Sequence, residues 1–374
     1  MPSKWNRRDW MLGSAVAVGG WATARLAASQ DAVQWHDVRE WGIEGKGFAD
    51  TESPFDRLPA RAKGVVREPV WNLSRHSAGM SVRFRTNAKN VSVDYRLTGD
   101  SLAMPHMPAT GVSGVDLYAR DISGTTSGDA SGRWRWVAVT QPKQRQVEAT
   151  LVADLPELMR EYHLDLPLYN GTEQLRIGVP KEAIWEPIAP RKDLPILFYG
   201  TSITQGACAS RPGMSHVALL GKRLDRPVLN FGFSGNGKME WEVGQFLAEI
   251  DSALMVIDCL PNMEAQEVAD RAEGFVTRFR ELRPELPILL VEDRTYANAW
   301  LLPARQQRHR TSREALKEAY RRLVDRGVQR ISYLEGEPLL GGDGEATTDG
   351  SHPSDLGFVR QAEAMESPIR KLLA

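Results

Sequence analysis

The sequence predicts an α/β protein in two parts: an antiparallel β-sandwich, then a parallel sheet with helices on both faces. Three observations carry this. The first half holds short segments in which polar and apolar residues alternate. The second half holds unbroken apolar runs separated by helical stretches. The change falls at Pro187, Pro190 and Pro195, which punctuate a short connection. Alternation is the mark of a strand wetted on one face, and an unbroken run that of a strand covered on both. A chain of 374 residues is long enough for two such domains.

The elements follow in order. Residues 1–28 read as a twin-arginine-type export signal. Arg7-Arg8 precedes a small-residue, uncharged run from Met11 to Ala24, and Ala-rich sequence continues to Ala28. Residues 29–188 form the expected sandwich. Ser81 to Arg85, Val91 to Leu97, Trp134 to Val139 and Gln174 to Val179 are its alternating strands, and turn residues cluster from Gly124 to Gly132. Residues 189–374 form the expected parallel sheet. Its strands are Ile196 to Tyr199, Val228 to Phe231, Leu254 to Ile257, Ile288 to Val291 and Ile331 to Leu334. Helices are expected over Glu264 to Leu282 and Arg305 to Val324.

Composition excludes several classes. Forty-seven basic against 48 acidic residues, net charge −1, give no electrostatic case for nucleic acid as partner. No long apolar span follows the N-terminus, so no membrane association is expected once the signal is removed. Two cysteines cannot build a disulfide framework or a four-cysteine zinc site. Cys208 and Cys259 both lie near strand ends, and an oxidising compartment would permit them to pair; two separate buried thiols are the alternative. No cluster has metal-ligand spacing, and no cofactor is expected.

In parallel α/β sheets the site lies beyond the carboxyl ends of the strands. Gly200-Thr201-Ser202 follows the first run, Gly232-Phe233-Ser234-Gly235 the second, and Asp258 to Met263 the third. Asp349-Gly350-Ser351-His352 stands near the C-terminus. A hydroxyl, an imidazole and a carboxylate are the parts of a nucleophile, its base and the group that orients the base. Ser202 at a strand-to-helix turn is the nucleophile, its oxygen exposed and favoured by the helix N-terminus. His352 is the base and Asp349 its partner, with Asp343 and Asp355 close enough to compete. The N–H groups of Ser202 and Gly235 and the amide of Asn262 are the oxyanion donors. Alone, a serine after a strand or an asparagine before a helix is usually only a cap; the set in this order is what points to catalysis.

These residues resemble the SGNH/GDSL hydrolase family. Its four markers fall on Ser202, Gly235, Asn262 and His352, over a region from Leu194 to the end. Gly-Asp-Ser becomes Gly200-Thr201-Ser202, and the Asp that usually follows the Asn is Met263. Gly114-Val115-Asp116-Leu117-Tyr118 looks like the Gly-x-Asp-Leu-Tyr signature of a β domain that precedes one branch of the family. The resemblance implies an SGNH-type (flavodoxin-like) sheet after a jelly-roll-like sandwich. It also implies a serine esterase acting on short acyl esters, acetyl above all, of small molecules or polysaccharides, and the export signal would place it in the periplasm or outside the cell. The alternatives are an inactive carbohydrate-binding protein, or a lipid esterase or thioesterase.

Four minor expectations complete the reading. Gly232 to Lys238 has phosphate-loop spacing, but Met239 stands where the metal-binding hydroxyl would be. Trp134 and Trp136 share a strand face, as core residues or as a sugar platform. Arg294, Tyr296, Asn298 and Trp300 follow the fourth run and border the substrate. His216 is expected on a helix surface or in the core.

Overall fold

The structure, a computed structural model, describes residues 32–121 and 132–374. The expected export signal at 1–28 and most of the turn-rich stretch from Gly124 lie outside the described residues. Two antiparallel sheets come first. One is ordered β1-β8-β3-β6 and the other β5-β4-β7-β2-β9. The strands are β1 Val33–Asp37, β2 Ser81–Thr86, β3 Val91–Leu97, β4 Asp116–Asp121, β5 Arg133–Val139, β6 Gln146–Val152, β7 Arg160–Asp165, β8 Thr172–Pro180 and β9 Trp185–Ile188. The alternating residues sit as their pattern requires. Val91, Val93, Tyr95 and Leu97 of β3 meet Val82 and Phe84 of β2 in one buried core, while Arg96 faces solvent. Two short helices, α1 Glu68–Ser74 and α2 Ala109–Val112, lie in the connections.

The second part is a five-stranded parallel sheet ordered β11-β10-β12-β13-β14. Its strands are β10 Ile196–Gly200, β11 Val228–Gly232, β12 Leu254–Asp258, β13 Ile288–Val291 and β14 Ile331–Leu334. Its helices are α3 Ser202–Gln205, α4 His216–Arg223, α5 Trp241–Leu247, α6 Ala265–Leu282, α7 Pro303–Asp325 and α8 Asp355–Leu373. In each of β10 to β13 every residue is buried, because both faces are covered. Leu197, Tyr199, Met255 and Ile257 pack under α5, α6 and α7. Ile196, Phe198, Leu254 and Val256 pack under α4 and α8. No helix among the described residues is long and apolar enough to cross a membrane.

The two parts meet beside the strand ends. Met107, Val112 and Leu168 from the first pack on Ile203, Ala209 and Phe358 from the second. Arg57, fully buried, reaches across to donate to Asn230 O at 2.9 Å and Gly232 O at 2.7 Å at the end of β11. The Gly-x-Asp-Leu-Tyr segment proves to be the start of β4. Asp116 accepts from Arg211 Nη1 and from Gly213 N, both at 2.9 Å, and from Trp136 Nε1 at 2.9 Å. A Cβ on Gly213 would lie 2.4 Å from the Tyr118 ring, so the motif clamps β4 to the chain that follows α3.

Candidate active site

Strand order places the candidate residues. β10 lies between β11 and β12, with Gly200 in register with both Gly232 and Asp258. The turn carrying Ser202 is therefore flanked by the Gly235 loop on one side and by Asn262 on the other. Close backbone approach joins them. Gly237 N donates to Asn262 Oδ1 at 3.3 Å, and a Cβ on Gly237 would stand 1.9 Å from Gly200 O. Gly235 holds φ +69°, a conformation that costs glycine little. The neighbouring N–H groups of Ser234, Asn236 and Gly237 are all committed within the site: to Gln205 Oε1, and for the last two to Phe233 O.

The fourth segment arrives from the loop before α8. Ser202 Oγ lies 2.9 Å from His352 Nε2, across 150 residues of chain. His352 Nδ1 lies 2.7 Å from Asp349 Oδ2. Asp349 Oδ1 also accepts from the backbone N–H groups of His352 at 2.8 Å and Ser351 at 3.0 Å. Burial alone would raise its carboxyl. The His352 backbone N–H, then the His352 ring and the Ser351 N–H, outweigh burial and hold it down at about 2. An ionised Asp349 only accepts, so the shared proton belongs on Nδ1 and leaves Nε2 bare toward Ser202. The competing carboxylates are engaged elsewhere. Asp343 pairs with Arg360 at 2.7 Å, and Asp355 accepts from Ser210 N at 2.9 Å. The four segments thus bring a hydroxyl, an imidazole, a carboxylate and amide donors to one mouth, the equipment for acyl transfer through serine.

Residues 193–370 match the GDSL-like lipase/acylhydrolase family. Residues 33–185 match the N-terminal domain of SGNH-hydrolase-type esterases. A structure described as a GDSL-like lipase from Bacteroides ovatus is 30% identical, covering 91% of this chain and 98% of that one, with a TM-score of 0.85. The chain belongs to the GDSL-like lipase/acylhydrolase family. This acylhydrolase is an ester hydrolase by that membership. Two more distant structures share its fold. One is a salicylyl-acyltransferase from a tetracycline biosynthetic pathway, 17% identical over 91% of this chain and 97% of that one, TM-score 0.69. The other is an acetyl xylan esterase from the rumen bacterium Butyrivibrio proteoclasticus, 11% identical over 90% and 98%, TM-score 0.55. No curated protein matches the chain significantly.

The structure corrects some expectations for the acylhydrolase and agrees with others. Ser202 is 6% exposed, not open to solvent, and α3 is a single turn. Its dipole is correspondingly small; what α3 supplies is first-turn N–H groups that no helical carbonyl can reach. Arg294 does not border substrate. It is wholly buried and donates to Asp258 at 2.8 Å, beneath the site. Tyr296 packs edge-on against His309, at 4.4 Å between ring centroids. Tyr296 also pairs through its hydroxyl with the Ser351 side chain, and with Asn298 it adjoins the Asp349 loop. Ala297 N donates to Gly350 O at 2.9 Å, a Cβ on Gly350 would lie 3.2 Å from the Asn298 amide nitrogen, and Trp300 is 77% exposed. The phosphate-loop reading fails: Lys238 pairs with Glu267 at 3.2 Å, and the next helix, α5, starts only at Trp241. Trp134 and Trp136 do not form one platform, since Arg120 covers the first at 4.4 Å. His216 lies in the core. Both cysteines are buried, free thiols.

The fold also adds residues that spacing could not reveal. His106, from the β3–α2 connection, brings its ring to 6.0 Å from that of His352. Tyr169 donates its hydroxyl to Ser202 O at 3.2 Å. Cys208 lies with Asp349 and His352 in a cluster whose donor atoms are all within 4.8 Å of one another.

Proposed function

We propose that the enzyme is an exported serine esterase that removes short acyl groups, acetyl foremost, from carbohydrate. The observation that carries this is the unbroken hydrogen-bonded series from Asp349 through His352 to Ser202. Ser202 Oγ attacks the ester carbonyl while His352 Nε2 takes its proton, and Asp349 stabilises the imidazolium that forms. Ser202 N, Gly235 N and Asn262 Nδ2 donate to the oxyanion. The intermediate collapses, the alcohol leaves with the proton from His352, and an acyl-Ser202 ester remains. Water, deprotonated by His352, then attacks that ester and releases the carboxylic acid.

Support for a sugar comes from the rim. Trp300, 77% exposed and two residues beyond Asn298, offers an aromatic face for a pyranose ring. His106 and Tyr169 bring polar tips from the first part of the chain. The fold shared with an acetyl xylan esterase points the same way, and the Arg7-Arg8 segment supports export to where polysaccharide is met. The test compares kcat/KM on acetylated xylan with p-nitrophenyl acetate, butyrate and octanoate. Acetyl substrates are expected to lead and octanoate to trail. A preference for octanoate would replace this reading with a lipid esterase or thioesterase.

Asn262→Ala is expected to lower kcat by about 10²–10³ with little change in KM, because its amide acts on the oxyanion rather than on the ground state. Steady-state kinetics on p-nitrophenyl acetate check this. A variant within threefold of the parent would remove Asn262 from the oxyanion site.

A further inference from the structure

We propose that Cys208, Asp349 and His352 form a binding site for a thiophilic divalent cation, zinc or cadmium, and that its occupation switches the esterase off. The inhibition rests on the catalytic reading of His352; the binding does not. Sulfur, nitrogen and carboxylate oxygen are the donor set of tetrahedral zinc. Here they come from two separate segments, the chain after α3 and the loop before α8. Cys208 is 6% exposed and adopts φ +72°, outside the range cysteine prefers. Asp349 and His352 remain partly open to solvent, with side chains 40% and 26% exposed, so an ion has a route in.

The donors need only small adjustments. Bonds of about 2.0 Å at a tetrahedral angle set nitrogen and oxygen about 3.3 Å apart, and sulfur slightly further. Asp349 Oδ2 and His352 Nδ1 now stand 2.7 Å apart, sharing a proton, and Cys208 Sγ, a ring nitrogen of His352 and a carboxylate oxygen of Asp349 all lie within 4.8 Å of one another. An ion entering between them replaces that proton. The thiol gives up its proton to solvent, and the imidazole proton passes from Nδ1 to Nε2. Nε2 then carries a hydrogen and cannot accept one from Ser202 Oγ, its neighbour at 2.9 Å. Three protein ligands leave a fourth position for water.

Zinc titrated into chelator-treated enzyme is expected to inhibit p-nitrophenyl acetate hydrolysis at micromolar concentration, with recovery on adding EDTA. Each variant is judged by the ratio of its own rates with and without zinc. In Cys208→Ala the concentration for half-inhibition should rise about tenfold or more, since the thiolate is the strongest of the three ligands. Cys208→Ser should show the same loss, and serves if the alanine variant fails to fold. Binding is read without turnover from cobalt(II) added to Ser202→Ala. A thiolate-to-cobalt charge-transfer band is expected, and its absence from the Ser202→Ala, Cys208→Ala double variant. That spectrum survives even if the catalytic reading fails. No band, or zinc inhibition that persists undiminished in the Cys208 variants, overturns the proposal; the latter would assign the ion to the His106–His352 pair instead.

Discussion

Ser202→Ala is expected to lower kcat on p-nitrophenyl acetate by about 10⁴- to 10⁶-fold, because in the proposed mechanism Ser202 alone carries the acyl group. The residual rate comes from oxyanion donors acting on water attack. The fold should survive. Ser202 Oγ bonds to His352, while the turn itself is held by backbone bonds from Gly206 and Ala207 to Ser202 O. Far-ultraviolet circular dichroism and the thermal midpoint should therefore match the parent. His352→Ala should fall almost as far, and the double variant no further than the worse single one, because the pair acts as a unit. Independent losses that multiply would show that serine and histidine do not act on the same proton. Loss of less than about tenfold in Ser202→Ala would end the assignment of the nucleophile.

What the sequence made legible, and what it hid, divides along one physical line. The five apolar runs of the parallel sheet could be read because burial on both faces writes itself into composition. The candidate nucleophile and oxyanion donors could be read because in such a sheet every strand ends on the same side, so Ser202, Gly235 and Asn262 share a mouth whatever their spacing. The strand order that sets Ser202 between the other two is a tertiary fact that no local pattern encodes. The Asp-x-x-His spacing favours Asp349 over Asp343 and Asp355; what sets the other two apart is Arg360 and Ser210, which engage them. His106 was invisible because its meeting with His352 depends on the packing of the two parts of the chain. Asp116 was legible as a motif, but its work as a clamp on Gly213 and Arg211 was not. Arg294 was misread outright: an arginine just past a strand end looks like a site residue, and only the fold shows it turned inward onto Asp258.

That buried pair makes the second large expectation. Arg294→Met should cost about 3–5 kcal/mol of folding stability, because it strands a carboxylate without its counter-charge. Asp258 is 1% exposed and ends β12, on the strand that leads to Asn262; Arg294 Nη2 is its partner at 2.8 Å and Thr204 Oγ1 donates weakly at 3.4 Å. Burial pushes the Asp258 carboxyl above its ordinary value, and the Arg294 charge is the chief force opposing that rise. A carboxyl raised in the folded state binds its proton more tightly there than in the unfolded chain. Its contribution is therefore complete below the unfolded value of about 4 and is lost as pH rises through the folded one. Removing Arg294 lifts the folded value further, so the deficit of the variant should widen from pH 5 to pH 8. Guanidinium chloride unfolding at the two pH values measures this. Asp258→Asn combined with Arg294→Met removes the stranded charge and should recover most of the loss, and with it the pH dependence. A single-variant deficit that stays constant with pH would mean that Asp258 keeps its charge solvated by other means. The turn of Ser202, which Thr204 links to Asp258, would then owe nothing to this pair.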